Sequence, residues 1–305
     1  ADGTSWMAMF ALNMMRISME LAQYNPIYED MAIKFFEHYL YIAEAMENIG
    51  ETKNGLWNDE DGFFYDLLQL NNGDSVPLKL RSIVGLIPLF AVEIVEHSML
   101  EKLPNFLDRM QWILKNKPHL ADLVSHWEVE GKGGKHMMSI LRKTRLKRVL
   151  CRMVDEKEFL SDYGIRSMSK VYKDHPFLFS VDGKNFNVKY TPAESDSSMF
   201  GGNSNWRGPI WFPINFLIVE SLQRFHYYYG DSLQIEYPTN SGESRNLDFV
   251  ATDLSKRLYS IFTKDENGNR AFNGGNDLLN HNKIIKNYIM FHEYFNGDTG
   301  QGIGA

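Results

Sequence analysis

The feature that most constrains the fold is a pair of amphipathic helices joined by a short proline turn at the start of the chain. A first helix is predicted from about Trp6 to Gln23, with Thr4 or Ser5 as its cap, and Asn25-Pro26 ends it. A second helix is predicted over 28–48. The apolar stripe of the first is Phe10, Met14, Ile17 and Leu21, and that of the second is Met31, Phe35, Tyr39, Ile42 and Met46. Two such helices form an αα-hairpin.

The same pattern recurs along the chain. Further helices are predicted over 82–97, 103–117, 138–153, 210–228, 246–263 and around 279–291, separated by loops rich in Gly, Asn, Asp and Pro. Short strands are predicted over 62–66 and 177–181 and form small hairpins. Paired helices that alternate with long loops predict an all-α fold, an α/α barrel whose loops at one end build the site.

The organisation predicted is one domain over 1–305, with the charged, glycine-interrupted stretch 118–160 as an insertion within it. A helix-entry signal follows residue 1 directly, and the chain stops in a loop-like run over 300–305. We therefore expect a C-terminal fragment of a longer protein, with an upstream domain of the same protein as its partner.

Charge and composition limit the partners. Lys and Arg number 32 against 39 Asp and Glu, so the net charge is −7 and no nucleic-acid partner is expected. The basic run over 142–148 carries apolar residues at helical spacing, which indicates a solvated helix face. No apolar run is long enough to span a membrane, so no membrane partner is expected. The single Cys151 excludes an internal disulfide and mildly favours a reducing compartment, so we expect a cytoplasmic protein.

The richest candidate segment places Trp206, Arg207 and Trp211 around Gly208-Pro209, directly before an apolar helix. Two tryptophans that straddle a rigid turn can present flat apolar faces to a ring, and a guanidinium can donate a fork of hydrogen bonds. The alternative is a Trp-capped helix with a buried Arg. The 13% aromatic content of the chain fits a ring-stacking cleft and a large aromatic core equally well.

The second candidate is Glu293, placed by prediction at the end of an apolar helix with aromatic residues on both sides. Such a carboxyl is partly desolvated, and desolvation raises its pKa toward the range useful for proton transfer. The alternative is a solvated Glu at a helix end.

Asp265–Asn269 spaces oxygen atoms as a calcium loop does but lacks its Gly and its bidentate Glu, so a turn is favoured. Neither a metal nor a cofactor is expected, because no metal-ligand spacing or nucleophile elbow occurs.

Several motifs taken together resemble glycoside hydrolase family 63 and, more distantly, the trehalases. They are Asp2-Gly3-Thr4-Ser5-Trp6-Met7, Leu56-Trp57-Asn58-Asp59-Glu60-Asp61-Gly62-Phe63-Phe64-Tyr65-Asp66, Val84-Gly85-Leu86-Ile87-Pro88-Leu89, Tyr163-Gly164-Ile165-Arg166-Ser167, Asn205-Trp206-Arg207-Gly208-Pro209-Ile210-Trp211 and Glu293-Tyr294-Phe295-Asn296-Gly297-Asp298-Thr299-Gly300. They follow the order of the family and span nearly the whole chain. The segment around Trp206 is the most specific of them.

The resemblance implies an (α/α)6 barrel that hydrolyses a terminal glucosidic bond with inversion, on a carbohydrate substrate. Inversion uses two carboxyl groups about 6.5–9.5 Å apart, an acid for the leaving oxygen and a base for the attacking water. Glu293 matches the base. Asp2 is the candidate acid in this chain, unless the acid lies upstream of it. The implied substrate-binding residues are Trp206, Arg207, Trp211 and Trp6.

The resemblance does not settle the substrate, because one fold supports many specificities. A trehalase-like or mannosidase-like specificity on the same barrel stays open, and so does a carbohydrate-binding helical module without catalysis. Asp59 and Glu60 match a loop motif that is expected to be structural.

Overall fold

The computed structural model describes residues 1–47, 55–121, 131, 133–181, 183–194, 196 and 208–303. The chain divides into two compact units. The first unit comprises Ala1–Lys79, Val84–Val149 and Gln223–Leu233, and the second comprises Leu80–Ile83, Leu150–Leu222 and Gln234–Ala305. A single domain with an insertion over 118–160 stays a prediction.

Helices are the main elements of the described residues. In chain order they are α1 Asp2–Ala22, α2 Tyr28–Glu47, α3 His97–Leu100, α4 Pro104–Asn116, α5 Pro118–Ala121, α6 Lys143–Met153, α7 Phe212–Tyr229, α8 Leu247–Ser260 and α9 Asp277–His281. Short 3₁₀ helices lie at Ile83–Phe90, Lys170–Lys173, Gly230–Ser232 and Ala271–Asn273.

The strands are short, and those named here form two-stranded antiparallel sheets. They are β1 Trp57–Asn58, β2 Phe63–Phe64, β3 Asp66–Gln69, β4 Ser75–Leu78, β5 Val92–Glu96, β6 Lys135–Ser139, β7 Leu160–Ser161, β8 Gly164–Ile165, β9 Phe177–Val181, β10 Lys184–Val188, β11 Ile210–Trp211, β12 Gln234–Glu236, β13 Ser244–Asn246 and β14 Tyr294–Phe295. The pairs are β1 with β2, β3 with β4, β5 with β6, β7 with β8, β9 with β10, β11 with β14, and β12 with β13. Helices thus dominate as predicted, with more small sheets than expected, and the closed barrel stays a prediction.

The first unit is built on the predicted αα-hairpin of α1 and α2. The buried face of α1 is made of small and flexible side chains: Ala8, Ala11, Leu12, Met15, Met19 and Ala22. Small side chains let two helices approach closely. Helix α2 also contacts α4, where the rings of Phe36 and Phe106 meet edge to face at 5.7 Å. The Glu29 carboxylate of α2 accepts the backbone N–H of Phe106 at 3.0 Å and so satisfies a free donor in the first turn of α4.

The apolar stripe predicted for α1 is exposed. Phe10, Met14, Ile17 and Leu21 have exposed fractions of 49%, 41%, 52% and 43%. Helix α1 is apolar on two sides, and helical periodicity alone does not distinguish the side that faces α2. The buried face predicted for α2 is partly correct, because Tyr39 and Met46 are buried whereas Met31 is exposed.

The helix predicted over 82–97 is wrong beyond its first half. The 3₁₀ helix Ile83–Phe90 is followed by β5, whose alternating β-branched residues favour a strand. Strand β5 pairs with β6, so the helix predicted over 138–153 begins only at Lys143. A Cβ atom at Gly85 would lie 2.1 Å from the Phe63 ring, so the 3₁₀ helix and β2 pack tightly only with glycine there.

The second unit contains two apolar clusters. One consists of Leu80, Met168, Tyr172, Val188 and Tyr190, and the other of Ile210, Leu258, Ile261, Phe272 and Phe295. Helix α8 supplies part of the second cluster, and the Asn246 side chain caps it by accepting the N–H of Phe249 at 2.9 Å. The second cluster includes residues of β11 and β14, the two strands that lie next to predicted site residues.

The helix predicted around 279–291 is also wrong, because α9 ends at His281. The side-chain oxygen of Asn282 accepts the N–H groups of Ile284 and Ile285 at 2.9 and 3.4 Å, a local turn that competes with helix formation. Apolar side chains after it are exposed, among them Ile284, Tyr288, Ile289 and Phe291. No helix of the described residues is both long and apolar enough to cross a membrane.

Candidate functional site

Glu293 and Trp211 are neighbours in the second unit although they are distant in sequence. Strand β11 pairs with β14 so that Trp211 lies opposite Tyr294 and Ile210 lies opposite Phe295. The backbone N–H of Phe212 donates to the Glu293 carbonyl oxygen at 3.1 Å. Trp211 and Glu293 are therefore close together, and their proximity arises from strand pairing.

The Tyr163–Ser167 motif contacts the segment that leads to Trp211. Arg166 forms a β-bridge with Ile210. The backbone N–H and the hydroxyl of Ser167 donate to the Pro209 carbonyl at 3.0 and 2.7 Å. Asn215 accepts the N–H of Ile165 at 2.7 Å, which ties this segment to the start of α7.

A buried ion-pair network holds the loop that follows Glu293. The Arg166 guanidinium is 5% exposed and donates to the Tyr190 hydroxyl at 3.1 Å and to Asp298 at 3.3 Å. The Tyr190 hydroxyl itself donates to Asp298 at 2.8 Å. Burial, together with the nearby Asp298, raises the pKa of Tyr190, although Arg166 opposes the shift, so this phenol keeps its proton and remains a donor.

Gly297 allows the close approach of this loop to the Trp211 segment. Its backbone N–H donates to the Pro192 carbonyl at 2.7 Å. A Cβ atom at this position would lie 2.6 Å from the Gly208 carbonyl oxygen and 2.9 Å from the Tyr190 hydroxyl. Both contacts are shorter than carbon–oxygen packing permits, so only glycine fits here.

The environment of Glu293 differs from the predicted one. The residue is exposed, so the predicted desolvation is not observed. The physical reason is the missing helix: without it, Glu293 follows an irregular segment instead of ending a packed helix. The ring centroid of Phe291 lies 4.9 Å from that of Phe212 and 5.3 Å from that of Phe262. This ring therefore packs on other aromatic rings.

Trp206 and Arg207 lie outside the described residues. Their role in substrate binding, with that of the half-buried Trp211, stays a prediction.

In the first unit, Asp2 and Trp6 lie one turn apart at the start of α1. The Trp6 indole donates a hydrogen bond to the Asp2 carboxyl, and the Trp6 ring packs on Phe90 at 5.6 Å and on Phe10 at 6.2 Å. Partial burial of Asp2 raises the pKa of its carboxyl, and the negative charge of Asp66 raises it further. The N-terminal ammonium and the Trp6 hydrogen bond oppose this shift.

Asp66 is a residue that the sequence analysis did not single out as functional. Its Oδ1 atom accepts the backbone N–H of Asp2 at 3.2 Å and contacts the N-terminal ammonium of Ala1. The only signal in the sequence was its place at the end of the quoted Phe63–Asp66 motif, which carries no information on the distant Asp2.

The acidic loop around Asp59 is structural, as expected. The Trp57 indole donates to the Asp59 carboxylate at 2.7 Å, and Asn58 accepts the N–H of Asp61 at 2.8 Å. Arg148 donates to the backbone carbonyl oxygens of Asp59 and Glu60. These bonds close the turn between β1 and β2.

The calcium-like segment is a turn, as favoured. The Asp265 carboxylate accepts the N–H groups of Asn267 and Asn269 at 2.9 and 2.8 Å. In the described part of the chain, no group of three or more His, Cys, Asp or Glu side chains is placed to hold a metal. A polar cleft of about 650 Å³ runs past this loop to Thr299 and Gln301, and neither Glu293 nor Trp211 lines it.

Comparison with known proteins agrees with these motifs. Residues 135–262 match the family model described as the glycosyl hydrolase family 63 C-terminal domain. The uncharacterized protein YMR196W of Saccharomyces cerevisiae is 46% identical over 319 residues, covering 100% of this chain and 29% of that protein. The mannosyl-oligosaccharide glucosidase of the same yeast is 24% identical over 119 residues, covering 39% of this chain and 11% of that enzyme. The chain thus spans less than a third of these curated relatives.

A solved structure is more distantly similar. It is the GH63 mannosylglycerate hydrolase from Thermus thermophilus in complex with glucose, with a TM-score of 0.36 and 14% sequence identity, over 96% of this chain and 41% of that chain. A TM-score of that size does not establish a shared fold. The family model and the order of the motifs confirm the predicted resemblance to glycoside hydrolase family 63.

Proposed function

We propose that this chain contributes the catalytic residues of an inverting glycoside hydrolase that releases a terminal glucose from an oligosaccharide or glucoside. The observation that carries the proposal is the Asp2 carboxyl, half-buried at the start of α1, hydrogen-bonded to Trp6 and beside Asp66. A general acid requires a carboxyl whose pKa is raised, and the pKa of Asp2 is raised by burial and by Asp66.

In the proposed reaction, Asp2 gives its proton to the glycosidic oxygen while the bond from that oxygen to the anomeric carbon breaks. The electron pair of the broken bond stays on the leaving oxygen. A water molecule attacks the anomeric carbon from the opposite face, and Glu293 accepts the proton that this water loses. The sugar is released with inverted configuration at the anomeric carbon. The exposure of Glu293 suits a group that works on a water molecule.

The tryptophans support a ring-shaped ligand. The half-buried Trp211, beside Glu293, is proposed as one wall of the substrate site. Trp206 and Arg207 are proposed as further substrate-binding residues. Trp6, packed on Phe10 and Phe90, is proposed as a further aromatic contact next to Asp2. Glucose is proposed as the sugar because the similar yeast enzyme is a mannosyl-oligosaccharide glucosidase.

A carbohydrate-binding module without catalysis is the second candidate, and the exposed Glu293 is the observation that favours it. A trehalase-like or mannosidase-like specificity is an alternative on the same residues.

The deciding experiment incubates the protein with an α-linked glucosyl disaccharide, with trehalose and with an α-mannoside, and follows the released sugar by proton NMR. Early accumulation of β-glucose from the glucoside alone supports the proposal. α-Glucose as first product contradicts inversion, and binding without release of sugar indicates the module.

An upstream domain of the same protein is proposed as the partner of this chain. The exposed apolar face of α1, formed by Met7, Phe10, Met14, Ile17 and Leu21, supports it. These positions follow steps of three and four residues, the spacing with which one helix packs on another. The share of the yeast relative that the chain spans, 29%, leaves ample sequence in that relative for such a helix.

A further inference from the structure

Asp66 stabilises the start of α1 from a distant position in the sequence. The residue before the helix, Ala1, has no side chain that can accept the free N–H groups of the first turn. Asp66, the first residue of β3, supplies the missing acceptor: its Oδ1 atom takes the Asp2 backbone N–H at 3.2 Å. A carboxylate at a helix N-terminus is also favoured by the helix dipole.

This position brings two carboxyl groups together at one helix end. Three groups face the Asp2 carboxyl: the Asp66 carboxylate, the Ala1 ammonium and the Trp6 indole. The Asp66 Oδ1 atom accepts the Asp2 backbone N–H and contacts the Ala1 ammonium, so the side chain is held beside the start of α1. Asp2 is partly buried, and its charged form is disfavoured first by desolvation and then by the neighbouring negative charge. The raised pKa of Asp2 thus follows from its burial and from a neighbouring carboxyl group that is held at the same helix end.

We propose that Asp66 is a positioning residue that fixes the first turn of α1 and holds a second carboxyl group beside that of Asp2. The inference rests on the proposed role of Asp2 as the general acid. Through the start of β3, the last residue of the Leu56–Asp66 motif lies beside Asp2 of the Asp2–Met7 motif. Asp66 does not itself exchange a proton with the substrate.

The test uses Asp66→Asn. The amide oxygen of Asn still accepts the Asp2 N–H, so the variant removes the charge and keeps the hydrogen bond. We expect the titration midpoint of the Asp2 carboxyl, followed by carbon-13 NMR of aspartate-labelled protein, to fall by about half a unit to one unit. The alkaline limb of the pH profile of kcat/KM on an α-linked glucosyl disaccharide should move to lower pH by the same amount.

Two variants serve as controls. Asp66→Glu keeps the charge and should titrate like the parent protein. Asp74→Asn removes an exposed carboxylate from the far end of the same β3–β4 hairpin and should leave both readouts unchanged. Thermal unfolding of each variant shows whether the fold is retained. If Asp66→Asn does not fold, Asp66→Ser provides an uncharged hydrogen-bond acceptor instead.

An unchanged Asp2 midpoint in Asp66→Asn overturns the inference. Its failure is distinct from a failure of the proposed function. If Asp2→Asn turns over substrate at the parental rate, Asp2 is not the acid, and the proposed function fails whatever the NMR titration shows. If Asp2→Asn is inactive while Asp66→Asn keeps the parental pH profile, only the role of Asp66 is wrong.

Discussion

At the scale of single residues, the two proposed catalytic carboxyls have different surroundings. Partial burial and the nearby Asp66 raise the pKa of the Asp2 carboxyl, although its hydrogen bond with the Trp6 indole opposes the shift. Glu293 is exposed at a strand end beside Trp211. Burial favours the protonated carboxyl that an acid needs, and exposure leaves Glu293 accessible to the water molecule on which a base acts.

Replacing Asp2 with Asn should lower kcat on an α-linked glucosyl disaccharide by about 10²–10⁴-fold, the usual contribution of a positioned acid. The loss should be much smaller on α-glucosyl fluoride, because fluoride leaves without being protonated. Steady-state kinetics on the two substrates measure the difference. Equal losses on both would show that the substitution acts through the fold of α1 and not through proton donation.

Replacing Glu293 with Gln should lower kcat by a similar factor of about 10²–10⁴, since the amide cannot accept a proton from water. The KM should change little because the amide fills the same space. Glu266→Gln, which alters an exposed Glu in a loop of the same unit, is the matched control and should keep parental kinetics. A Glu293→Gln protein with parental turnover would falsify the proposed base.

At the scale of elements, the sequence predicts the existence of helices better than their faces. The αα-hairpin of α1 and α2, the helix α4 and the helices α7 and α8 form close to their predicted bounds, because periodicity, caps and proline are local signals. The buried side of α1 was not predictable, since both of its sides are apolar. The strand β5 and the turn at Asn282 were missed because pairing with β6 and a side-chain bond to the backbone compete with helix formation.

Adjacent methionines of α1 should therefore respond differently to truncation. Met15 is fully buried, so Met15→Ala should lower the free energy of unfolding by about 2–5 kcal/mol through lost burial and a cavity. Met14 is 41% exposed, so Met14→Ala should change it by less than about 0.5 kcal/mol. Urea unfolding of this 305-residue chain measures both. Comparable effects at the two positions would contradict the observed orientation of α1.

The loop after Glu293 depends on a glycine in the same way. Gly297→Ala places a methyl group against the Gly208 carbonyl and the Tyr190 hydroxyl, so we expect a loss of about 1–3 kcal/mol in unfolding free energy and a fall in activity. Gly275→Ala is the control, because nothing lies within 4 Å of a Cβ atom there. If the two variants unfold at the same denaturant concentration, the close approach of the loop to Gly208 is not required.

At the scale of the whole molecule, the motifs name candidate site residues but do not predict how the chain brings residues together. The pairing of β11 with β14 brings Trp211 next to Glu293. The network of Arg166, Tyr190 and Asp298 and the role of Asp66 were not predictable, because they join residues far apart in sequence through side chains. Single motifs carry no information on which other motif they meet.

The exposed face of α1 leads to a prediction for any longer protein that contains this chain. In the 305-residue chain, Ile17→Glu should leave the free energy of unfolding unchanged within about 0.5 kcal/mol, because Ile17 is 52% exposed. In the longer protein, a helix packed on this face would bury the new carboxylate, at a cost of about 2 kcal/mol or more. Lys34→Glu, a charge change in α2, is the control in both proteins. Denaturant unfolding compares them, and an equal effect of Ile17→Glu in both lengths contradicts packing by the same polypeptide. Concentration-dependent self-association of the short chain that Ile17→Glu abolishes would instead identify a second copy as the occupant.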